Sequence, residues 1–436
     1  MKFHSRFLRG GMAALLLSLS YPGGLQALEP RTWLTLSGST LDAELVRAVG
    51  DDIELKDKEG RITKLKKSQL SFGDVDYINE NMPPDKSANV LGTKPVVKIP
   101  IPGKEAKVDT KAFKKEAGDF KVNDRTYRIC ETPHFKILYF KPSEPMDIAE
   151  LAERLWVDTA FFHSTYIQKW RERKMAIMLV NDDEAYTDVG SWYADMISQG
   201  IDEKAKENAQ NLRKTWPESA AGSVNMLQDL ALKHGVFQHM RVFRNYAKDP
   251  RDLTGKKTMP IKPGVWDSFR THCLASDMLG IQAGGVSGFN KDGSFAFFTG
   301  HAYFKEIQLT GHSVTSRLGV KGTGKDVTST GGYTGKDWAP EIKKNVKKGE
   351  LNPDLDRLFK VEDNAADTKD VVLAYAFSRF LQSTPERLSA FNRLTERVST
   401  SNALPEIGDI AKIYGYETSE AFKAAFVEYI KSPEFR

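Results

Sequence analysis

The sequence predicts an α+β chain of two unequal domains: a small β-barrel, then a larger, mainly helical domain with a small sheet. Three observations predict it. Apolar and polar residues alternate in short runs between residues 31 and 66, the period of half-buried strands. Prolines recur between residues 81 and 112. In much of the chain beyond residue 145 the apolar residues recur instead at i, i+3, i+4 and i+7, the mark of helices packed on a core.

The first residues belong to neither domain. Lys2, Arg6 and Arg9 precede an apolar run from Met12 to Tyr21, and Leu25-Gln26-Ala27 offers a small residue for cleavage. A positive start, an apolar centre and a small-residue exit are the parts of a secretory signal peptide. The run is far shorter than the ~20 residues of a spanning helix. We expect residues 1–27 to be removed after Ala27, leaving a secreted or periplasmic protein with no membrane span. The net charge is only +5, and the basic residues are not gathered in one block, so nucleic acid is not implied as a partner. Cys130 and Cys273 leave two outcomes open in an exported chain, one disulfide or two buried thiols.

Residues 28–80 form the small domain. Arg31 to Thr35 is β-prone and ends near Gly38. Leu41, Ala43 and Leu45 alternate with polar residues, as do Ile53 and Leu55. Lys58-Glu59-Gly60 makes a turn into Arg61-Ile62-Thr63 and Leu65. Ser71 can cap a short helix carrying Val75, Tyr77 and Ile78. Four or five strands at this spacing suggest an SH3-like barrel.

The order of these residues resembles the Sla-type homology domain. It runs R-x-W at Arg31, G-x-x-L-x-A-E-L-V from Gly38, I-x-L-K-x-x-x-G-R from Ile53 and L-S-x-x-D-x-x-Y-I from Leu70. The resemblance implies a module that binds a peptide or protein, with Trp33 and Tyr77 as candidate contacts. Each landmark has an alternative role in packing alone: Trp33 in the core, Gly38 and Gly60 in turns.

Residues 81–112 contain Met82-Pro83-Pro84, Lys94-Pro95 and Ile99-Pro100-Ile101-Pro102, a Pro/Lys-rich linker expected to be extended or semi-rigid. The large domain covers 113–436. His134 to Phe140 reads as a strand, and Ile148, Leu151, Ala152, Leu155, Thr159 and Phe162 mark a long amphipathic helix. Met175 to Val180 is a second, buried strand, and Asp182 and Asp183 can cap the helix that follows. Four further helices carry Val371 to Leu381, Leu388 to Val398, Ile407 to Tyr414 and Phe422 to Tyr429.

The run T-P-H-F-K-I-L-Y-F from Thr132 and the helix L-A-E-R-L-W-V-D-T-A-F-F from Leu151, followed by a hydrophobic strand, resemble the opening of peptidase-MA-like domains. Those domains are gluzincin-type zinc peptidases. The likeness extends over roughly residues 128 to 432 and implies a zincin-like fold.

The chemistry such a fold needs is not in the chain. Two histidines at i and i+4 must reach one zinc, with a Glu beside the first as general base. No H-E-x-x-H occurs. In the corresponding segment, Val265 to Gly280, His272 keeps the first ligand position, Cys273 replaces the base and Ser276 the second His. Phe297 to Tyr303 takes the place of the next active-site helix and puts Thr299 where the third ligand should be. His301, Glu306 and His312 lie near His272 in this alignment. A His272, Cys273 and Glu306 set would require adjacent side chains to converge, which one helix face does not allow. We therefore expect no zinc and no other cofactor. Gly319 to Asp326 nearly spells a phosphate loop, yet it lacks the Ser or Thr that would hold magnesium. It reads instead as a mobile surface loop, as does the stretch holding Gly280, Gly284, Gly285 and Gly288.

The reading that follows is an exported, non-catalytic relative of a zinc peptidase that binds a protein, peptide or cell-envelope ligand. His272, Thr299, His301 and Tyr303 are expected in the wall of the old substrate cleft. Two alternatives stand beside it: a hydrolase with unusual ligands, and an adaptor acting through the small domain.

Overall fold

The computed structural model describes residues 30–35, 38–81, 102–140, 145–163, 170, 173–199, 203–219, 221–244, 265–284, 292–313, 338–362 and 365–436. The expected signal peptide, most of the expected linker (82–101), Gly285, Gly288 and the Gly319 to Asp326 stretch lie outside these residues.

The small domain is an antiparallel meander of β1 (Arg31–Leu34), β2 (Thr40–Val49), β3 (Asp52–Asp57) and β4 (Ile62–Lys66), followed by helix α1 (Phe72–Asn81). Alternation sets its inner face: Ala43 and Leu45 of β2 and Ile53 and Leu55 of β3 bury against Trp33, Leu70 and Ile78. A bridge from Thr35 to Leu70 and the bond from Ser71 N to Leu34 O bring the chain back to β1. Gly38 and Gly60 occupy turns at φ 84° and 81°, where a Cβ would be strained. Ser71 caps α1, its Oγ accepting from Asp74 N at 3.1 Å.

A buried ion pair locks the helix to the sheet. Arg31 and Asp74 lie 3.0 Å apart, and the Asp74 carboxylate also accepts from Leu34 N at 2.7 Å and Ser71 Oγ at 2.8 Å. Burial pushes the Asp74 pKa up, against the pull of Arg31.

The large domain begins with the turn α2 (Pro102–Glu105), inside the span expected to be linker. Gly103 N donates to Asp158 at 3.1 Å, so this end of the linker is fastened to the large domain. A six-stranded mixed sheet follows, with order β5-β6-β7-β8-β10-β9. Its strands are β5 (Lys114–Val122), β6 (Arg125–Glu131), β7 (Phe135–Tyr139), β8 (Lys174–Val180), β9 (Ala221–Asn225) and β10 (Val236–Arg244). β7, β8 and β10 run parallel, and the other pairings are antiparallel. β8 is buried from Met175 to Val180 because both sheet faces are covered, which explains its unbroken apolar run.

Helix α3 (Pro145–Phe162) follows β7. Next come α4 (Asp183–Ser198), α5 (Glu203–Thr215), α6 (Gln228–Lys233) and α7 (Val265–Gln282). Asp182 caps α4 through Ala185 N at 2.6 Å, whereas Asp183 pairs with Arg244. α3 and α7 share a core with Phe135, Ile137, Ile177 and Phe243 of the sheet.

A π-helical segment (Phe295–Thr299) leads into α8 (Gly300–Thr310). The C-terminal part is helical: α9 (Ala339–Lys348), α10 (Leu355–Leu358), α11 (Thr368–Leu381), α12 (Pro385–Ser401), α13 (Ile407–Ile413) and α14 (Ser419–Lys431). Phe377, Phe380, Phe422 and Phe426 pack at its centre. No helix among the described residues is long and apolar enough to cross a membrane. Cys130 of β6 and Cys273 of α7 are both buried and both free, so of the two outcomes left open the structure has two thiols.

Candidate functional site

The candidate residues His272, Cys273, Ser276, Thr299, His301 and Tyr303 fall on α7, the π-helical segment and α8. Gly300 lets α8 pack tightly on α11, since a Cβ there would lie 2.5 Å from Ala374 O. On another side α8 packs along α7. Ser268 and His272 are one turn apart on α7 and face it together. His272 Nδ1 lies 3.0 Å from Glu306 Oε2, while Ser268 Oγ donates to Glu306 Oε1 at 2.6 Å and Ser313 Oγ to Oε2 at 3.0 Å. Glu306 is fully buried at 0% exposure, whereas the His272 side chain is 12% exposed. The Tyr303 ring packs edge-on against His272, with centroids 4.5 Å apart. A buried carboxylate that accepts from two hydroxyls and braces an imidazole holds the ring in one orientation.

The resemblance puts Thr299 at the third-ligand position, opposite His272. Glu306, seven residues on and on nearly the same helix face, makes the contact. Cys273 does not join it. Its thiol lies in the core with Phe243 and Phe269, and burial pushes its pKa up to about 12. Ser276 is half-buried one turn beyond His272. His312 turns back to its own loop, with Nδ1 3.0 Å from Thr310 O.

His301 requires a correction. It is 1% exposed, stacks on Phe391 and lies 3.3 Å from Gln382 Nε2, on the side of α8 away from His272. His301 lies five residues before Glu306, about 140° around the helix, which separates the two imidazoles. Burial, then Lys305 and His163, hold the His301 pKa well below the ordinary histidine range. Trp33 is likewise interior, at 1% exposure, and its indole N–H donates to Ala43 O at 2.8 Å. Tyr77 is half-buried, with the Arg31 guanidinium 3.9 Å above its ring. Among the described residues no three His, Cys, Asp or Glu side chains gather as a metal-ligand set.

A second polar cluster lies further along α7. Asp277 takes both Arg241 Nε, at 2.7 Å, and Arg241 Nη2, and His239 Nε2 is 2.9 Å from its Oδ1. Burial alone would raise the Asp277 pKa, but Arg241 and then His239 bring it down to about 2.

A cleft among the described residues lies elsewhere, between the small and large domains, with a volume of about 670 Å³. Phe72, Val75, Asp76 and Asn79 form one wall, a single face of α1. Pro385, Leu388, Ser389 and Asn392 form the other, a single face of α12. The Phe162 ring lies between them, stacked on Phe72 with centroids 6.1 Å apart. Ser389 Oγ donates to Asp76 at 2.5 Å and ties the walls together. No short motif marks this site, because its walls are some 310 residues apart in the chain.

No family model, curated protein or solved structure matches the chain.

Proposed function

We propose that the protein is an exported, non-catalytic, peptidase-like binding protein whose ligand is a protein or peptide outside the cytoplasm. The observation that carries this reading is the state of the peptidase-like positions. His272 is held by Glu306, its neighbour Cys273 is a buried protonated thiol facing the core, and Ser276 and Thr299 add no further imidazole or carboxylate. A hydrolytic zinc needs three convergent ligands and a base beside its water. The large domain is read as zincin-like and the small one as an SH3-like binding module. The return of the chain to β1 through Thr35 and Leu70 supports the latter. The junction cleft has a volume usual for ligand pockets and is the place we assign to binding.

The test is elemental analysis of the mature protein after zinc exposure and desalting, together with a hydrolysis assay on mixed fluorogenic peptides. The reading expects no retained zinc and no turnover. Near-stoichiometric zinc that is lost in His272→Ala would overturn it.

One observation favours hydrolysis as a second reading. A buried carboxylate bracing a histidine is the arrangement that orients a general base. Metal-independent turnover abolished by His272→Ala would establish that reading.

A further inference from the structure

We infer that the junction cleft takes a short cationic segment of a partner protein, one that alternates basic and apolar side chains. The inference rests on the binding role proposed above and names the chemistry of its ligand.

The cleft is apolar at its floor and acidic at its edge. Phe72, Val75, Phe162 and Leu388 supply apolar surface that an aliphatic side chain can cover. Among the described lining residues the charged groups are Asp76, Glu386 and Glu434, with no lysine, arginine or histidine. That sign is opposite to the chain as a whole, which carries 63 basic and 58 acidic residues. Asp76 is half-buried on one wall, and Glu434 stands exposed at the C-terminal rim. Carboxylates on two sides of an apolar floor match a segment whose cations flank an aliphatic anchor.

An anionic ligand fits less well, although the α12 N-terminus opens here. Pro385 has no N–H to offer, Thr384 Oγ1 already accepts from Arg387 N at 3.3 Å, and Glu386 occupies the first turn. These features leave the positive end of the helix partly satisfied and countered by a carboxylate. The walls come from two domains, so occupancy would also brace the small domain against the large one.

The probe is a fluorescein-labelled hexapeptide of alternating lysine and leucine, followed by fluorescence anisotropy with the full mature protein. Its glutamate–leucine and lysine–serine counterparts are run beside it, and unlabelled spermine serves as competitor. We expect the lysine–leucine peptide to bind about tenfold or more tightly than either counterpart, and to weaken as salt rises. Asp76→Asn with Glu434→Gln should lose about tenfold while keeping the Asp76 to Ser389 acceptor. Asn79→Trp, at an exposed position that lines the cleft, should abolish binding without disturbing the fold.

Equal binding of the lysine–leucine and glutamate–leucine peptides, binding unmoved by both variants, or no binding would overturn the inference. Displacement by spermine at the peptide's own affinity would also overturn it, because charge alone would then suffice. If the glutamate–leucine peptide binds and Asn79→Trp blocks it, the ligand chemistry is wrong and the binding role stands. Zinc retention or peptide turnover in the same sample would remove the non-catalytic reading and leave the cleft assignment intact.

Discussion

His272 Nδ1 and Glu306 Oε2 meet at 3.0 Å across two neighbouring helices, and this contact organises the polar centre of the helix pair. Glu306 is the hub, since Ser268 and Ser313 hydroxyls also donate to its carboxylate. His272 is one spoke.

The two residues should therefore differ in what their removal costs. Glu306→Ala strands several buried donors and should lower stability by about 2–4 kcal/mol, whereas His272→Ala should cost about 1–2 kcal/mol. Urea denaturation of both variants reads the difference. The reverse order would show that the carboxylate is not the hub.

Lys305 and Asp158 form an ion pair at 2.7 Å, with side-chain exposures of 1% and 0%. Lys305→Met leaves Asp158 buried beside Gly103 N alone, and should cost about 3–5 kcal/mol. Adding Asp158→Leu should recover part of that loss, giving a coupling above about 1 kcal/mol in the double-mutant cycle. Additive losses would mean that the pair does not act as a unit.

Acid should weaken the fold in two stages. Burial, opposed by a hydrogen bond with Asn392, takes the His163 pKa down from 6.5 to about 3. The unfolded chain therefore binds the proton first, and stability present above pH ~6.5 falls as pH drops toward 3, by roughly 1.4 kcal/mol per unit. His301 moves in the same direction. Asp277, lowered from 3.8 to about 2, adds a second loss between about pH 4 and 2. His163→Gln should reduce the slope of stability against pH between about pH 6 and 4 by roughly half, leaving the steeper limb below pH 4. An unchanged slope would mean that His163 is not the titrating group.

Both thiols should be silent in the native protein. Burial raises the pKa of Cys130 and takes that of Cys273 to about 12. An aromatic disulfide reagent at pH 8 should release almost no thiolate from the folded chain and two equivalents after unfolding in guanidinium. Zero equivalents after unfolding would indicate a disulfide instead.

Periodicity carried the local part of the structure. The alternation at Ala43, Leu45, Ile53 and Leu55, the apolar run of β8, the Asp182 cap and the four C-terminal helices are written in short windows of sequence, because each is set by nearest neighbours along the chain. β6 and β10 were not legible that way. β10 contains Arg241 and Arg244, charged side chains that break an apolar strand pattern and are accommodated through carboxylates far along the chain, at Asp277 and Asp183. The candidate sites divide likewise. His272 could be found by its place in a degenerate motif, whereas Trp33, singled out by the resemblance, proves to be interior. The helical offsets of His301 and Glu306 already separate their faces, and only the packing of α8 on α7 decided that the Glu306 carboxylate reaches the imidazole. The docking of α1 against α12 created the cleft between the two domains. Sequence determines which faces are apolar, since that depends on residues a few positions apart. Tertiary structure decides which of those faces meet, because that depends on contacts between residues hundreds of positions apart.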